Sequence, residues 1–225
     1  MKQYLPEFLR KYKTNQLILA FIIFWTPIIL FAKLANEIIE NDPVAFDEGI
    51  LQWLHAQSSP FLESVFFFFT TTGNVEFIVP IALLIFAVLM YKKQRLNALL
   101  FAFGVGGAAL ANLLLKFVFQ RDRPAFWESI VIEHGYSFPS GHAMVSSALV
   151  LSLIVILWNT RWRIPTIIIG GFIALMIAMS RLYFGVHYPT DILAGWSVSL
   201  IWVSIVTIVV KNITSKRSAR LKLNV

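Results

Sequence analysis

Three short segments of this chain contain ionisable residues that are candidates for ligand binding and catalysis. The segments read KFVFQRDRP (116–124), PSGH (139–142) and SRLYFGVHYPTD (180–191), and each contains residue types that can bind or transfer a charged group. Long apolar runs flank them, and ionisable residues between such runs are costly and usually functional. These segments are therefore the candidate site of the chain.

The cations of the first and third segments predict an anionic ligand. Lys116, Arg123 and Arg181 come from separate places in the sequence, and cations at the ends of apolar helices repel one another unless an anion joins them. Arginine offers a planar donor fork that suits phosphate oxygens, and lysine adds a point charge. The set predicts a dianionic, phosphate-like ligand, whereas Arg121 is predicted to snorkel alone to the membrane interface.

His187 and Asp191 are spaced for nucleophilic chemistry. They are four residues apart, so they share one face if a helix begins near Pro189. An aspartate bonded to one ring nitrogen fixes the tautomer and leaves the lone pair of the other nitrogen pointing outward. A buried structural pair is the alternative, but a phosphate held by Arg181 would meet the free nitrogen of His187, which favours a nucleophile.

The PSGH segment is typical of a helix start. Ser140 can cap the helix, Gly141 lets the backbone approach a ligand, and free N–H groups at a helix N-terminus bind anions. A capped turn without a ligand has the same pattern. His142 is the residue that a cap does not require, so it is a second candidate catalytic histidine.

A zinc site formed by the two histidines and the aspartate is a competing interpretation. A metal ion among three basic side chains is electrostatically unfavourable, and those side chains already supply the charge that a metal supplies in phosphoryl transfer. We therefore expect no metal and no cofactor. The absence of cysteine excludes disulfides, thiol catalysis and cysteine metal sites. Neither His55 nor His134 has catalytic partners of this kind. His134 is predicted to be a surface histidine, with contact to substrate as the alternative, and Glu128 and Glu133 are predicted to be solvated.

Composition places these segments in a membrane protein. Hydrophobic residues make up 58% of the 225 residues, against about 45–50% in typical soluble chains. We predict one all-α, polytopic domain, a bundle of six transmembrane helices over about 16–35, 76–91, 96–119, 141–159, 165–180 and 190–210. The first run resembles a secretory signal but is longer than most, so a retained span is predicted. Segment 36–74, which contains six acidic residues, is predicted to be an amphipathic outer-surface segment.

Basic residues set the predicted orientation. With both termini in the cytoplasm, fourteen of the nineteen Lys and Arg lie on the cytoplasmic side, all but Lys33, Lys116, Arg121, Arg123 and Arg181. No basic stripe with interleaved aromatic residues is present, so nucleic acid is not expected as a partner. The same count places all three segments at the extracytoplasmic face, where one pocket can collect them.

Taken together, the segments resemble the type 2 phosphatidic acid phosphatase family. The family pattern is K-x6-RP, then PSGH, then SR-x5-H-x3-D, and the three segments match it without a departure. The resemblance covers about residues 16–210 and implies a metal-free, six-span fold. In that family, the residue at His187 attacks phosphorus to form a phosphohistidine, the one at Asp191 orients it, and the one at His142 protonates the leaving oxygen. The resemblance also implies five phosphate-binding residues: Lys116, Arg123, Ser140, Gly141 and Arg181.

Sequence and resemblance together predict a membrane lipid phosphatase. Its substrate would be a lipid phosphate or diphosphate, such as phosphatidylglycerophosphate, phosphatidic acid or undecaprenyl diphosphate, presented at the outer face of a bacterial cytoplasmic membrane. A phosphotransferase that uses the same phosphohistidine and a lipid or anion transporter are the alternatives. Transporter sites tend to lie near the midplane on broken helices, whereas these segments fall at one end of the predicted bundle. Six spans also argue against a haloperoxidase-like use of the pocket, which related soluble enzymes show.

Overall fold

The structure, a computed structural model, describes residues 14–40 and 45–223. Within those ranges all regular structure is helical, which confirms the all-α prediction for the described residues. The helices are α1 (Thr14–Ile39), α2 (Ala45–Ala56), α3 (Pro60–Thr72), α4 (Val75–Tyr91), α5 (Arg95–Phe119), α6 (Gly141–Leu157), α7 (Arg163–Pro165), α8 (Gly171–Tyr183) and α9 (Pro189–Leu223). A π-helical turn, Thr166–Gly170, joins α7 to α8, so Arg163–Tyr183 is one helical run.

The apolar runs predicted to cross the membrane lie on helices. Among the described residues, three helices are long and apolar enough to span a bilayer: Arg95–Phe119, Arg163–Tyr183 and Pro189–Ile213. A fourth span arises if α3 and α4, which are bent by 51° at a short break, count as one, and α6 is apolar but has only 17 residues. The chain is thus a helical membrane protein. Six spans and cytoplasmic termini stay a prediction, and residues 1–13, on which part of that prediction rests, lie outside the described residues.

The centre of the bundle is formed by α5, α6 and α9. A buried apolar cluster lies between them: Ala108, Met144, Ala148 and Val203. Small residues allow close helix packing there, since a Cβ on Gly104 of α5 would lie 2.5 Å from the hydroxyl of Ser152 in α6. The starts of α6 and α9 lie side by side at one end of the bundle, where a Cβ on Gly195 of α9 would lie 3.0 Å from the carbonyl oxygen of Ser140.

Segment 36–74 contains the end of α1 together with α2 and α3. Helix α3 packs along α8, and α2 contacts both α8 and α9. Ser59 caps α3, because its hydroxyl accepts the backbone N–H of Leu62 (3.3 Å). Gly73 and Asn74 form the break between α3 and α4. The position of this segment relative to the membrane stays a prediction, but its packing brings it to the end of the bundle where α9 begins.

Candidate active site

The three sequence segments meet at one end of the bundle. The backbone N–H of Ser140 donates to the carbonyl of Asp191 (3.1 Å), which ties the start of α6 to the first turn of α9. Asn112 of α5 donates to a carbonyl of the PSGH segment (2.9 Å), and the hydroxyl of Ser137 donates to the carbonyl of Asp122 (2.9 Å). The loop between α5 and α6 is thereby held against the ends of three helices, together with the side chains that the sequence singled out.

His187 and Asp191 form a buried pair. His187 is 1% exposed and Asp191 is 0% exposed. Nδ1 of His187 lies 3.1 Å from Oδ2 of Asp191, and the same oxygen accepts the backbone N–H of Tyr188 (2.9 Å). Helix α9 begins at Pro189, as predicted. Because a carboxylate only accepts, Nδ1 carries the proton and Nε2 keeps its lone pair.

The Nε2 atom of His187 faces an arginine. NH1 of Arg123 lies 3.3 Å from Nε2 and donates to the carbonyl of Val186 (2.8 Å). Burial, together with the positive charges of Arg181, Arg123 and Lys116, holds the pKa of His187 well below its usual range. The imidazole is therefore neutral at physiological pH, and this is the form that has the lone pair of a nucleophile.

Arg123 is positioned by the loop that precedes PSGH. Its Nε donates to the carbonyl of Gly135 (2.9 Å), and its NH2 group donates to the carbonyls of His134 (3.4 Å) and Tyr136 (3.3 Å). Burial lowers the pKa of Arg123, while the charges of Glu133 and Asp191 oppose that shift. The backbone bonds hold the guanidinium beside the ring before any ligand arrives.

The side chain of Arg181 is completely buried. It donates to the hydroxyl of Thr70 in α3 and to the carboxylate of Glu133. Its Nε has no hydrogen-bond partner among the described residues. Because a buried donor without a partner is costly, Arg181 has unused capacity to bind an oxyanion.

The prediction that Glu133 is solvated is wrong. Its side chain is 23% exposed, and its carboxylate pairs with Arg181 and with Arg123 (3.5 Å). The sequence around Glu133 does not distinguish it from a solvated glutamate, because Arg123 and Arg181 come close to it only in the folded protein. The surface predictions for Glu128 and His134 are confirmed, because both are exposed, and His55 is exposed as well.

Lys116 approaches the same group from the last turn of α5. It is half-buried, and its ammonium group makes no ion pair within the described part of the chain. Its charge interacts with those of Arg123, Arg181 and Glu133. On this side of His187 the described residues thus place three cations against one carboxylate, an excess of two positive charges that matches a phosphate dianion.

His142 lies at the start of α6, one residue after Gly141. The predicted cap is present, because the hydroxyl of Ser140 accepts the N–H of Ala143 (3.5 Å). Nε2 of His142 is 2.9 Å from Oδ1 of Asn74, in the break between α3 and α4. An amide oxygen only accepts, so this contact places a proton on Nε2.

The break between α3 and α4 also makes room for this histidine. A Cβ on Gly73 would lie 2.7 Å from Cδ2 of His142 and from Cγ2 of Ile177, closer than atoms pack. The contributions of Thr70 and Asn74 were not predicted from the sequence. The available signal was the Gly-Asn pair after an apolar run, a turn signal that carries no information about what the turn contacts.

The prediction that Arg121 snorkels alone to the interface is also wrong. Its side chain is 17% exposed and pairs with Asp191 (2.6 Å) and Asp47 (2.9 Å). Burial alone would lower the pKa of Arg121, but the two carboxylates raise it above its ordinary value. Asp47 is one of the six acidic residues of segment 36–74, and no sequence feature distinguished it from the other five.

The donor set of the site suits an anion. Among the residues that the structure describes, no three His, Cys, Asp or Glu side chains are grouped as metal ligands. The carboxylates of the site face guanidinium groups instead, and these oppose the approach of a cation. What the arrangement offers is a neutral imidazole next to a cluster of phosphate-binding side chains.

Comparison with known proteins gives one consistent answer. A model of the PAP2 superfamily matches residues 97–215. Phosphatidylglycerophosphatase B of Bacillus subtilis is 31% identical over 178 residues, 77% of this chain and 87% of the relative. Undecaprenyl-diphosphatase of Sulfolobus acidocaldarius is 24% identical over 209 residues, 91% of this chain and 94% of the relative.

A solved structure supports the same assignment. The crystal structure of a transmembrane PAP2-type phosphatidylglycerolphosphate phosphatase from Bacillus subtilis has a TM-score of 0.74 and 29% identity, covering 87% of this chain and 97% of that chain. The family resemblance predicted from the three segments is therefore confirmed. Since the superfamily model covers more than half of the sequence, and similarity to a relative extends over most of both chains, this chain belongs to the PAP2 superfamily.

Proposed function

We propose that the chain is a metal-independent lipid phosphate phosphatase that works through a phosphohistidine at the extracytoplasmic face of a bacterial cytoplasmic membrane. One observation carries the proposal: Nδ1 of His187 is held by Asp191, while Nε2 faces Arg123 at 3.3 Å. A phosphate bound to that arginine lies in front of the only free lone pair of the ring. Supporting it, the named relatives are phosphatases, and the chain has apolar helices that can cross a membrane.

The first step transfers the phosphoryl group to the enzyme. The Nε2 lone pair of His187 forms a bond to phosphorus while the bond from phosphorus to the lipid oxygen breaks. His142 acts as an imidazolium whose Nε2–H is held by Asn74, and it gives the proton on Nδ1 to that oxygen, so the lipid alcohol leaves neutral and the ring becomes neutral. Asp191 stabilises the positive charge that the phosphorylated imidazole acquires.

The second step regenerates the enzyme. His142, having lost its proton, takes one from a water molecule as that water attacks the phosphohistidine. The P–N bond breaks, its electron pair returns to His187, and phosphate is released.

The cations position the phosphate in both steps. Lys116, Arg123 and Arg181 bind its non-bridging oxygens, with the Ser140 side chain and the Gly141 backbone N–H at the start of α6. Phosphoryl transfer requires the phosphorus atom to lie in line with the nucleophile and the charge on the non-bridging oxygens to be stabilised. Fixed hydrogen-bond donors and cations meet both requirements, so they supply most of the catalysis. In this proposal they replace the divalent metal that other phosphoryl-transfer enzymes use.

An apolar cavity next to the site fits the lipid part of the substrate. It has a volume of about 540 Å³ and lies between the α3–α4 pair, α6 and the Arg163–Tyr183 run. Its wall includes Ile177 and Ser146, and the Ser146 hydroxyl donates to the backbone carbonyl of His142 (2.6 Å). Hydrocarbon chains would remain in apolar surroundings while the head group reaches the cations.

The proposal is tested by measuring phosphate release from purified full-length protein in detergent. Phosphatidylglycerophosphate, phosphatidic acid and undecaprenyl diphosphate are compared at matched detergent ratios, with EDTA and with vanadate. We expect EDTA-insensitive, vanadate-inhibited release from at least one of them. Transfer to an added alcohol in place of water would identify a phosphotransferase, and lipid flux across vesicles without phosphate release would identify a transporter; either result overturns the proposal.

Replacement of Glu133 by glutamine is expected to strengthen phosphate binding about tenfold. In the structure the Glu133 carboxylate pairs with the same arginines that would bind phosphate, so substrate must displace it. The inhibition constants of inorganic phosphate and vanadate measure this effect. The control is Glu128→Gln, which changes an exposed residue of the same loop. Unchanged inhibition constants in folded Glu133→Gln protein would show that Glu133 does not occupy the phosphate position.

A further inference from the structure

Arg121 bridges two buried carboxylates that come from opposite ends of the chain. Its NH1 lies 2.6 Å from Oδ1 of Asp191, and its NH2 lies 2.9 Å from Oδ2 of Asp47. Asp47 is 3% exposed and Asp191 is 0% exposed. We call this arrangement the Asp47–Arg121–Asp191 chain, and it is separate from the cations on the Nε2 side of His187.

At one end of this chain, both oxygens of Asp191 are occupied. Oδ2 accepts from Nδ1 of His187 and from the backbone N–H of Tyr188, while Oδ1 accepts from Arg121. The guanidinium also lies over the ring of Tyr188, 3.9 Å from its centroid. With both oxygens bonded from different directions, the carboxylate cannot turn away from the imidazole.

At the other end, Asp47 binds the start of α9. Its Oδ1 accepts the backbone N–H of Thr190 (3.0 Å) and its Oδ2 accepts the hydroxyl of Thr190 (2.6 Å). A carboxylate at a helix N-terminus satisfies N–H groups that have no partner within the helix. Asp47 of α2 therefore fixes both the arginine and the helical turn that contains Asp191.

The charges of this group depend on one another. A buried carboxylate that loses its cation is strongly destabilised as an anion and takes up a proton instead. A protonated or rotated Asp191 would no longer accept from Nδ1, and His187 could then present the wrong tautomer. The salt bridge to Arg121 thus keeps Asp191 ionised and oriented toward Nδ1 of His187.

We propose that Arg121, held in place by Asp47, is a positioning residue for phosphoryl transfer, keeping Asp191 ionised and aligned with Nδ1 of His187. This inference rests on the proposed phosphatase function. Arg121 occupies a variable position of the K-x6-RP pattern, and Asp47 lies outside all three segments. The inference gives both residues a role and makes α2 a functional part of the site. Neither residue is among the side chains proposed to bind phosphate, so binding of substrate should be spared when they are changed.

The test compares Arg121→Gln, Arg121→Lys and Asp47→Asn with the wild type in the full-length protein. We expect kcat to fall about a hundredfold in Arg121→Gln and about tenfold in Asp47→Asn, with KM within about twofold of the wild type. Arg121→Lys keeps the charge but not the two-pronged fork, so its kcat should lie between those of Arg121→Gln and the wild type. Glu48→Gln and Asp122→Asn, exposed neighbours of Asp47 and Arg121, are the controls and should leave kcat unchanged.

Rates are expressed per active enzyme, taken as the monodisperse, folded protein in detergent, so that misfolded protein does not lower kcat. A normal kcat per active enzyme in Arg121→Gln and Asp47→Asn would overturn the inference and leave these residues with a structural role. A rise in KM with unchanged kcat would also overturn it, because it would place Arg121 among the phosphate-binding cations. Failure of the wild type to release phosphate from any lipid would instead refute the proposed function, so the two failures are distinguishable.

Discussion

Substitution of His187 by asparagine is expected to lower kcat by about 10⁴-fold or more, because it removes the ring nitrogen that is proposed to attack phosphorus. Asparagine keeps a polar group near the position of Nδ1, so Asp191 retains a partner and the fold should survive. The rate of phosphate release from a lipid phosphate measures the loss.

Two controls make this expectation specific. His134→Asn changes an exposed histidine of the adjacent loop and should leave the rate unchanged. Inorganic phosphate should still raise the unfolding temperature of His187→Asn, since Lys116, Arg123 and Arg181 remain. Alkaline quenching during turnover, which preserves the acid-labile P–N bond, should trap phosphoprotein in the wild type but none in the variant. Phosphoprotein in the variant would mean that another residue is the nucleophile.

The second large effect is expected from His142→Gln. Loss of a general acid typically costs about 10²–10⁴-fold, and the loss should depend on the leaving group. An alkyl phosphate such as phosphatidic acid needs a proton on its departing oxygen, whereas p-nitrophenolate leaves without one. The variant should therefore lose far more activity with phosphatidic acid than with p-nitrophenyl phosphate.

The time course separates the two roles of His142. With p-nitrophenyl phosphate, His142→Gln should release one burst of nitrophenolate per enzyme and then slow, because hydrolysis of the phosphohistidine lacks its base. His55→Gln, at an exposed position, should show no such change. Equal losses for both substrates, without a burst, would contradict the assignment of His142 as acid and base.

The helices could be predicted from sequence because the bilayer imposes their length. Apolar runs interrupted by basic turns locate α4, α5, α6 and α9 to within a few residues at their starts. Local spacing was equally informative: the four-residue spacing of His187 and Asp191 predicted their pairing once a helix start near Pro189 was expected. These inferences rest on periodicity and on contacts between near neighbours in the chain.

Contacts between distant residues could not be predicted. Arg121 looked like an interfacial cation because its partner Asp47 lies 74 residues away in a segment with no distinguishing pattern. Glu133 looked solvated because Arg181 is 48 residues away. In both cases the sequence shows an isolated charge, and only the packing of α2 and of the α5–α6 loop supplies its counter-ion.

The break between α3 and α4 has a further consequence for where water can be. Lipid-exposed backbone without regular hydrogen bonds is not tolerated inside a bilayer, but it is tolerated where it is buried in protein or lines a water-filled space. At this break Thr70 contacts Arg181 and Asn74 contacts His142, so the irregular backbone faces the polar cluster. We infer that, in the proposed phosphatase, this bend separates the apolar cavity that would hold the hydrocarbon chain from the polar cluster where water would attack the phosphohistidine.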